Sequence, residues 1–295
     1  MRIVVTGSTG LIGSRLVPAL RADGHEVIRL VRRAPRAPDE VRWDPAQGGI
    51  DTAALGHIDA AVHLAGAGIG DHRWTESYKR EVMQSRVSGT TTIATALATL
   101  DPLPRVLVSG SAIGFYGDTG DAVVDEDTPR GDGFLADVVE AWEHSADPAR
   151  RAGVRVVHPR TGLVVAKEGG TWARLTPLFR LGLGGRIGSG CQYWSFVSIS
   201  DEVRALRHLL TDESLSGPVN LTAPNPLTNA AATKVMGELL HRPTIATVPG
   251  FALRAALGEF AFDVLAGQQV VPRKLTDAGF HFEHPRFEDA FAAIL

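Results

Sequence analysis

Thr6-Gly7-Ser8-Thr9-Gly10-Leu11-Ile12-Gly13 is the stretch that decides the fold. It follows the apolar run Arg2-Ile3-Val4-Val5 and opens Leu11 to Ala22, which has helical length and periodicity, so the three glycines stand in a strand-to-helix turn. In this G-x-x-G-x-x-G spacing Gly7 permits the sharp turn, Gly10 lets a diphosphate approach the backbone, and Gly13 lets the helix lie close on its sheet. Free amides from Ser8, Thr9, Leu11 and Ile12 then face phosphate oxygens at the helix start. The turn predicts a dinucleotide site.

Outward from this turn, short apolar runs alternate with longer amphipathic ones. Arg2 to Thr6, His25 to Val31, Asp59 to Leu64, Arg105 to Ser109 and Val154 to Pro159 are rich in Val, Ile or Leu, as strands buried on both faces should be. Leu11 to Ala22, Trp74 to Leu100 and Phe134 to Ala152 supply the crossover helices. The pattern predicts an α/β chain with a Rossmann-type, doubly wound parallel sheet. After about residue 160 the alternation loosens into a helix over Thr171 to Leu181, a glycine-rich stretch to Gly190, an aromatic strand Tyr193 to Ser198, a helix over Asp201 to Leu210, and a further set that includes Leu227 to Leu240 and a helix between Pro272 and Gly279. This reads as a nucleotide-binding domain over residues 1–165, completed by about 195–220, and a smaller C-terminal α/β substrate lobe from 166–194 and 221–295. The cleft is expected above the carboxyl ends of the strands.

The second strand ends Leu30-Val31-Arg32-Arg33, where an NAD site would place an acid for the adenosine ribose hydroxyls. Two guanidinium groups suit a 2′-phosphate instead, because each offers paired donors and keeps its charge. NADP is therefore the expected cofactor.

The 295 residues are 44% apolar, and 30 basic against 33 acidic side chains leave a net charge of −3. No cationic field exists for nucleic acid or an anionic bilayer. The start of the chain carries no export pattern, and the long uncharged run Ser214 to Thr233 is broken by Pro218, Pro224 and Pro226, so it reads as a strand, a loop and a helix start instead of a membrane span. A lone Cys191 fits a reducing compartment, and a cytoplasmic protein is expected. His281, Glu283 and His284 lack partner ligands, so no metal is expected.

Four landmarks resemble the extended, sugar-nucleotide-epimerase-like branch of the short-chain dehydrogenase/reductase superfamily. They are the glycine turn, Asp59-Ala60-Ala61-Val62-His63-Leu64-Ala65-Gly66, Val106-Leu107-Val108-Ser109-Gly110-Ser111 with Tyr116-Gly117, and Ser198-Ile199-Ser200-Asp201-Glu202-Val203. His72-Arg73-Trp74-Thr75, Ser85-Arg86-Val87, Gly188-Ser189-Gly190 with Trp194, and Val270 to Leu275 are similar to an atypical subgroup described as epimerase-family or nucleoside-diphosphate-sugar epimerases. The resemblance implies that Leu64, Ala65 and Gly66 border the adenosine and its ribose, that Ser109 and Thr161 lie along the cofactor, and that Ser111 holds the position of the family serine. It also implies a small polar substrate, such as a sugar nucleotide, and a homodimer through the helix after Trp74. Arg86 stands where extended members commonly carry Asn, and a cofactor-phosphate contact, a substrate-anion contact and a helix-surface ion pair are all open to it.

In the family, chemistry rests on Y-x-x-x-K, in which the tyrosine moves the proton and the lysine lowers its pKa. Here Tyr78, Tyr116 and Tyr193 are followed four places on by Val82, Gly120 and Val197, and the expected position reads Phe134-Leu135-Ala136-Asp137-Val138. Asp137, Asp118, His72 and Tyr116 are the nearest polar groups. Two functions follow: an NADP-dependent oxidoreductase or epimerase with Ser111 orienting its substrate, or a protein that senses or sequesters NADP(H) without chemistry.

Overall fold

The computed structural model describes residues 1–295. Seven strands form its main sheet: β1 (Arg2–Thr6), β2 (Glu26–Val31), β3 (Glu40–Asp44), β4 (Ala60–His63), β5 (Val106–Ser109), β6 (Arg155–Thr161) and β7 (Gly217–Leu221). Their order is 3-2-1-4-5-6-7, and every neighbouring pair is parallel. Gly49–Ile50 adds a short antiparallel edge to β3, and Ser111–Ala112 pairs with the end of β6. The chain grows outward from β1 in one direction through β3, then returns to β1's other side with β4. That reversal opens a crevice at the carboxyl ends of β1 and β4.

Alternation along β1 builds both faces of the sheet. Ile3 and Val5 join one core with α1 (Gly13–Ala22), while Val4 points into the opposite core with α2 (Glu76–Leu97). The continuous helix expected from Phe134 to Ala152 is instead two, α3 (Phe134–His144) and α4 (Asp147–Ala152), because Pro148 has no amide to continue the ladder and starts a new helix. β3 lies outside the strands that the apolar runs predict: Glu40, Arg42 and Asp44 interrupt its pattern, and it is stabilised as an outer strand by pairing with β2.

A second core lies beyond β6. Trp172 and Phe179 of α5 (Gly170–Arg180) pack with Trp194, Phe196, Phe287 and Phe291, and the Trp172 ring stands edge-on to Trp194 at 5.6 Å. Trp194 and Phe196 are therefore core residues. The expected strand Tyr193 to Ser198 divides at Ser195, whose hydroxyl donates to the Gln268 carbonyl at 2.6 Å and accepts from the Val270 amide. α6 (Ile199–Thr211) returns to the main sheet, and Asp201 at its start ties down the last segment of the chain. One carboxylate oxygen accepts from the Glu283 amide at 2.8 Å and from Arg204, the other from the His284 amide and the Ser198 hydroxyl at 2.9 Å. No helix is long and apolar enough to cross a membrane.

Hydrogen bonds to charged groups contribute about 1.5–3 kcal/mol each, and those of one buried carboxylate are not additive. Asp201→Ala is expected to lower the free energy of unfolding in urea by about 3 kcal/mol. A loss below 1 kcal/mol would show that the segment is held by its apolar contacts alone.

Candidate functional site

The crevice is shaped by backbone approaching backbone. Gly7 has φ 66°, and a Cβ there would lie 2.7 Å from the Leu64 carbonyl carbon. A Cβ at Gly13 would come within 2.2 Å of the Gly7 carbonyl oxygen, and one at Gly10 within 3.3 Å of it. The turn is closed by Gly10 N–H to Gly7 O at 3.0 Å and Ser14 N–H to Gly10 O at 2.9 Å. The amides of Leu11, Ile12 and Gly13 donate to no acceptor in the protein. A concavity cleared of side chains and lined by three unspent N–H groups at a helix start fits an anion such as a diphosphate. Thr6 locks its floor: the hydroxyl donates to His63 Nδ1 at 2.7 Å and accepts from the amides of Leu64 and Ala65 at 3.1 and 3.3 Å. Burial, reinforced by the nearby Arg86, pulls the His63 imidazole down to about 3, so the ring is neutral.

The two arginines after β2 differ. Arg33 gives both terminal nitrogens to Glu40 at 2.7 Å, and these bonds, with the Arg36 amide, draw the Glu40 carboxyl down to about 2. Arg32 is exposed and makes no hydrogen bond or ion pair. Of the pair expected to act together, Arg33 is engaged as it stands and Arg32 is free.

Beyond the crevice lies a buried polar chain. Ser111 donates to Glu143 Oε1 at 2.6 Å, and Arg160 grips both Glu143 oxygens at 2.8 and 2.9 Å. Arg160 also donates to the Tyr116 hydroxyl at 3.1 Å, and Tyr116 donates to Asn220 Oδ1 at 2.8 Å. Burial works to raise the Glu143 carboxyl, but the Arg160 fork and the Ser111 hydroxyl outweigh it and hold it below the usual range. Burial pushes the Tyr116 phenol up to about 12. Nearby, Thr161 donates to Glu202 Oε1 at 2.9 Å, while the other Glu202 oxygen and the Ser109 hydroxyl have no partner. Burial lifts Glu202 up to about 8.

These features have counterparts in known proteins. The NAD dependent epimerase/dehydratase family matches residues 3–221, and a domain of unknown function matches residues 248–294. The chain belongs to the NAD dependent epimerase/dehydratase family. An epimerase family protein of Mycobacterium leprae is 45% identical over 98% of this chain and 94% of its own length. The crystal structure of human epimerase family protein SDR39U1 with NADPH superposes with a TM-score of 0.90 at 34% identity, covering 100% of this chain and 99% of the human one. A nucleoside-diphosphate sugar epimerase from Corynebacterium glutamicum gives 0.82 at 35% identity, covering 99% of this chain, which spans 57% of that protein.

Within this epimerase-family fold the segment Phe134 to Val138 starts α3, with Ala136 and Val138 buried and Asp137 paired to Arg130 on the surface. Asp118 accepts from the Gly120 amide of its own loop and from the distant Gly267 amide, and His72 sits edge-on to Tyr78 at 5.1 Å. His281 and His284 bond the Gly279 carbonyl and the Ser198–Ser200 hydroxyls, and no three His, Cys, Asp or Glu groups stand together to hold a metal. Sequence reasoning missed Glu143, Arg160 and Glu202. The signal for the first was a Glu on the buried face of an amphipathic helix, four residues past Val139.

Glu202 sets a pH dependence. Between about 4.3, its value in an unfolded chain, and about 8, the folded chain keeps a proton that the unfolded chain has released. Stability therefore falls as pH rises, by up to about 1.4 kcal/mol per unit, and levels off above the folded value. Glu202→Gln is expected to gain on the wild type steadily from pH 5 to 8 in urea-unfolding titrations. Parallel curves would refute the assignment.

Proposed function

We propose that this chain binds NADP(H) across the carboxyl ends of β1 and β4 and acts as an NADP-dependent oxidoreductase or epimerase on a small polar, nucleotide-linked molecule. The observation that carries the reading is the cleared glycine cradle with three undonated amides at the point where the strand order reverses. The presence of NADPH in the human relative and the naming of the C. glutamicum relative as a sugar-nucleotide epimerase support it.

In this reading Gly7, Ser8, Thr9, Gly10, Leu11, Ile12 and Gly13 enclose the diphosphate. Arg32 meets the 2′-phosphate, with Arg33 held behind it by Glu40. Leu64, Ala65 and Gly66 border the adenosine side, and Ser109 and Thr161 the nicotinamide side. When bound, the coenzyme supplies or takes up a hydride. The chain's own part is to orient the substrate: Ser111, fixed on Glu143, leaves its oxygen lone pairs as acceptors for a substrate hydroxyl.

The second reading, a protein that senses NADP(H) without turnover, is favoured by two observations. Phe134 to Val138 carry no positioned acid, and the Ser111 proton is already committed to a carboxylate. A missing acid/base group costs about 10²- to 10⁴-fold in rate, so slow turnover separates the two readings from each other and neither from cofactor binding.

Cofactor choice tests the common core. A charge-assisted bond contributes about 1.5–3 kcal/mol, so Arg32→Ala is expected to weaken NADPH binding by about 10- to 150-fold in calorimetric titration while leaving NADH unchanged. Equal wild-type affinity for NADH and NADPH would remove the 2′-phosphate assignment.

A further inference from the structure

Glu202 lies in the first turn of α6 and is completely buried. One carboxyl oxygen, Oε1, accepts the Thr161 hydroxyl at 2.9 Å, and the other has no partner. Thr161 is half-buried and ends β6, so its hydroxyl joins the crevice edge of the sheet to the carboxyl beneath it. No cation reaches Glu202 from the elements packed around it. On α1, the exposed Arg15 pairs with Glu168 at 2.6 Å and the exposed Arg21 pairs with Asp39. β5 carries no charged residue. On β6, Arg155 is spent on the carbonyls of Leu209, Leu210 and Leu215 at the far end of α6, while His158 and Arg160 turn to the opposite face, toward Arg150 and Glu143. The short strands beside it, Leu163–Val165 and Phe196–Ser198, have no charged side chain. Within α6 itself, Arg204 is bonded to Asp201 at 2.9 Å. Arg86 is buried, which excludes a helix-surface ion pair, but α2 packs on the other face of the sheet, and its guanidinium lies over the Trp142 ring at 4.9 Å.

Packing gives a reason for an acceptor at position 202, since Thr161 needs one, and none for an ionisable group. A glutamine oxygen would take the same bond without desolvating an acid. What a carboxyl adds is sensitivity to charge. In the NADP(H) reading, the cradle at α1 and Arg32 after β2 take the diphosphate and the adenosine half, so the other half crosses to the ends of β5 and β6, above Thr161. A nicotinamide ring there carries a positive charge when oxidised and none when reduced. An opposite charge nearby favours the ionised form of a carboxyl, whereas a neutral ring leaves the effect of burial unopposed.

We infer that Glu202 reads the charge of the nicotinamide: it loses its proton to solvent under the oxidised ring, keeps it under the reduced ring, and thereby sets the preference of the crevice between the two forms. The inference rests on the NADP(H) reading above. Binding moves only this proton, and no bond of the coenzyme is made or broken. At low pH both complexes hold the proton, and neither form gains from Glu202. As pH rises toward and past about 8, where burial places the ligand-free carboxyl, the carboxylate forms more readily, and affinity for NADP⁺ rises relative to NADPH. Proton exchange by the 2′-phosphate is common to both forms and cancels in their ratio.

The test titrates the whole chain with NADP⁺ and with NADPH in a calorimeter between pH 6 and 9, in buffers of different ionisation enthalpy, which counts the protons exchanged. The wild type is expected to release at least about 0.3 more protons with NADP⁺ than with NADPH at the pH of greatest difference. Its affinity for NADP⁺ relative to NADPH is expected to rise at least about fivefold across the range. Glu202→Gln, which keeps the acceptor for Thr161, is expected to bind both forms and to abolish both effects. Infrared difference spectra of the wild type are expected to lose the band of a protonated carboxylic acid when NADP⁺ binds but not when NADPH binds, with no such loss in the variant. A purely structural glutamate would not produce that signature. Smaller effects in the wild type, or effects of the same size in Glu202→Gln, would overturn the inference and leave the NADP(H) reading intact. A wild type that binds neither form would defeat that reading and the inference with it. Should Glu202→Gln not fold, Glu202→Leu, an apolar side chain suited to a buried position, takes its place under the same criteria.

Discussion

The structure depends on how closely β1, the turn after it and β4 can approach. Gly13 lies where any side chain would enter the Gly7 carbonyl, and Gly7 lies where any side chain would enter the Leu64 carbonyl. Because the turn is this tight, α1 begins directly over the end of β1, and its first amides have no earlier residue to bond. The same closeness brings the Thr6 hydroxyl within reach of His63, Leu64 and Ala65, so one small side chain joins two strands that are 57 residues apart in sequence. Packing and ligand geometry are one constraint here: a wider turn would bury its own amides or lose them to water.

Away from this point the protein places buried charge in three different ways. Glu143 and Arg160 satisfy each other in a two-bond fork, reinforced by Ser111 and Tyr116, so the pair is neutral as a unit and suits a rigid wall. Glu202 lacks a cation and is held in its protonated form by burial. Arg86 has neither a counter-ion nor the option of easy neutralisation, since even with burial its pKa stays about 10. Only the last leaves a net charge inside the fold at neutral pH. It lies beside the loop that follows β4, at the crevice and not on the far face of the sheet.

Much of the architecture is legible in the sequence because strands buried on both faces leave continuous Val, Ile and Leu runs, as in β1, β4 and β5, and because glycines at fixed spacing have a geometric reason. β3 is not legible, since Glu40, Arg42 and Asp44 interrupt its apolar pattern; the buried Glu40 in turn determines that Arg33 is engaged while Arg32 is not. The division of Phe134 to Ala152 depends on where Pro148 falls relative to a helix turn, which periodicity alone does not resolve. Site residues divide along the same line. Backbone-based elements such as the glycine turn are readable from residue type, whereas Glu143, Arg160, Tyr116 and Asn220 come from α3, β6, the turn after β5 and β7, and no local pattern foretells that they meet.

The placement of Ser111 within that network bears on what chemistry the crevice can support. A serine that steadies a substrate carbonyl must donate its hydroxyl hydrogen to the substrate, but here that hydrogen is donated to Glu143 Oε1 at 2.6 Å, and Glu143 is kept ionised by Arg160. To release the hydroxyl, the carboxylate would have to surrender a short charge-assisted bond while still held in the Arg160 fork, a loss of about 1.5–3 kcal/mol. A substrate that offers its own hydroxyl proton to Ser111 incurs no such loss, because the serine oxygen retains acceptor capacity. In the oxidoreductase or epimerase reading proposed above, the network would favour the alcohol form of a substrate over the carbonyl form at this position.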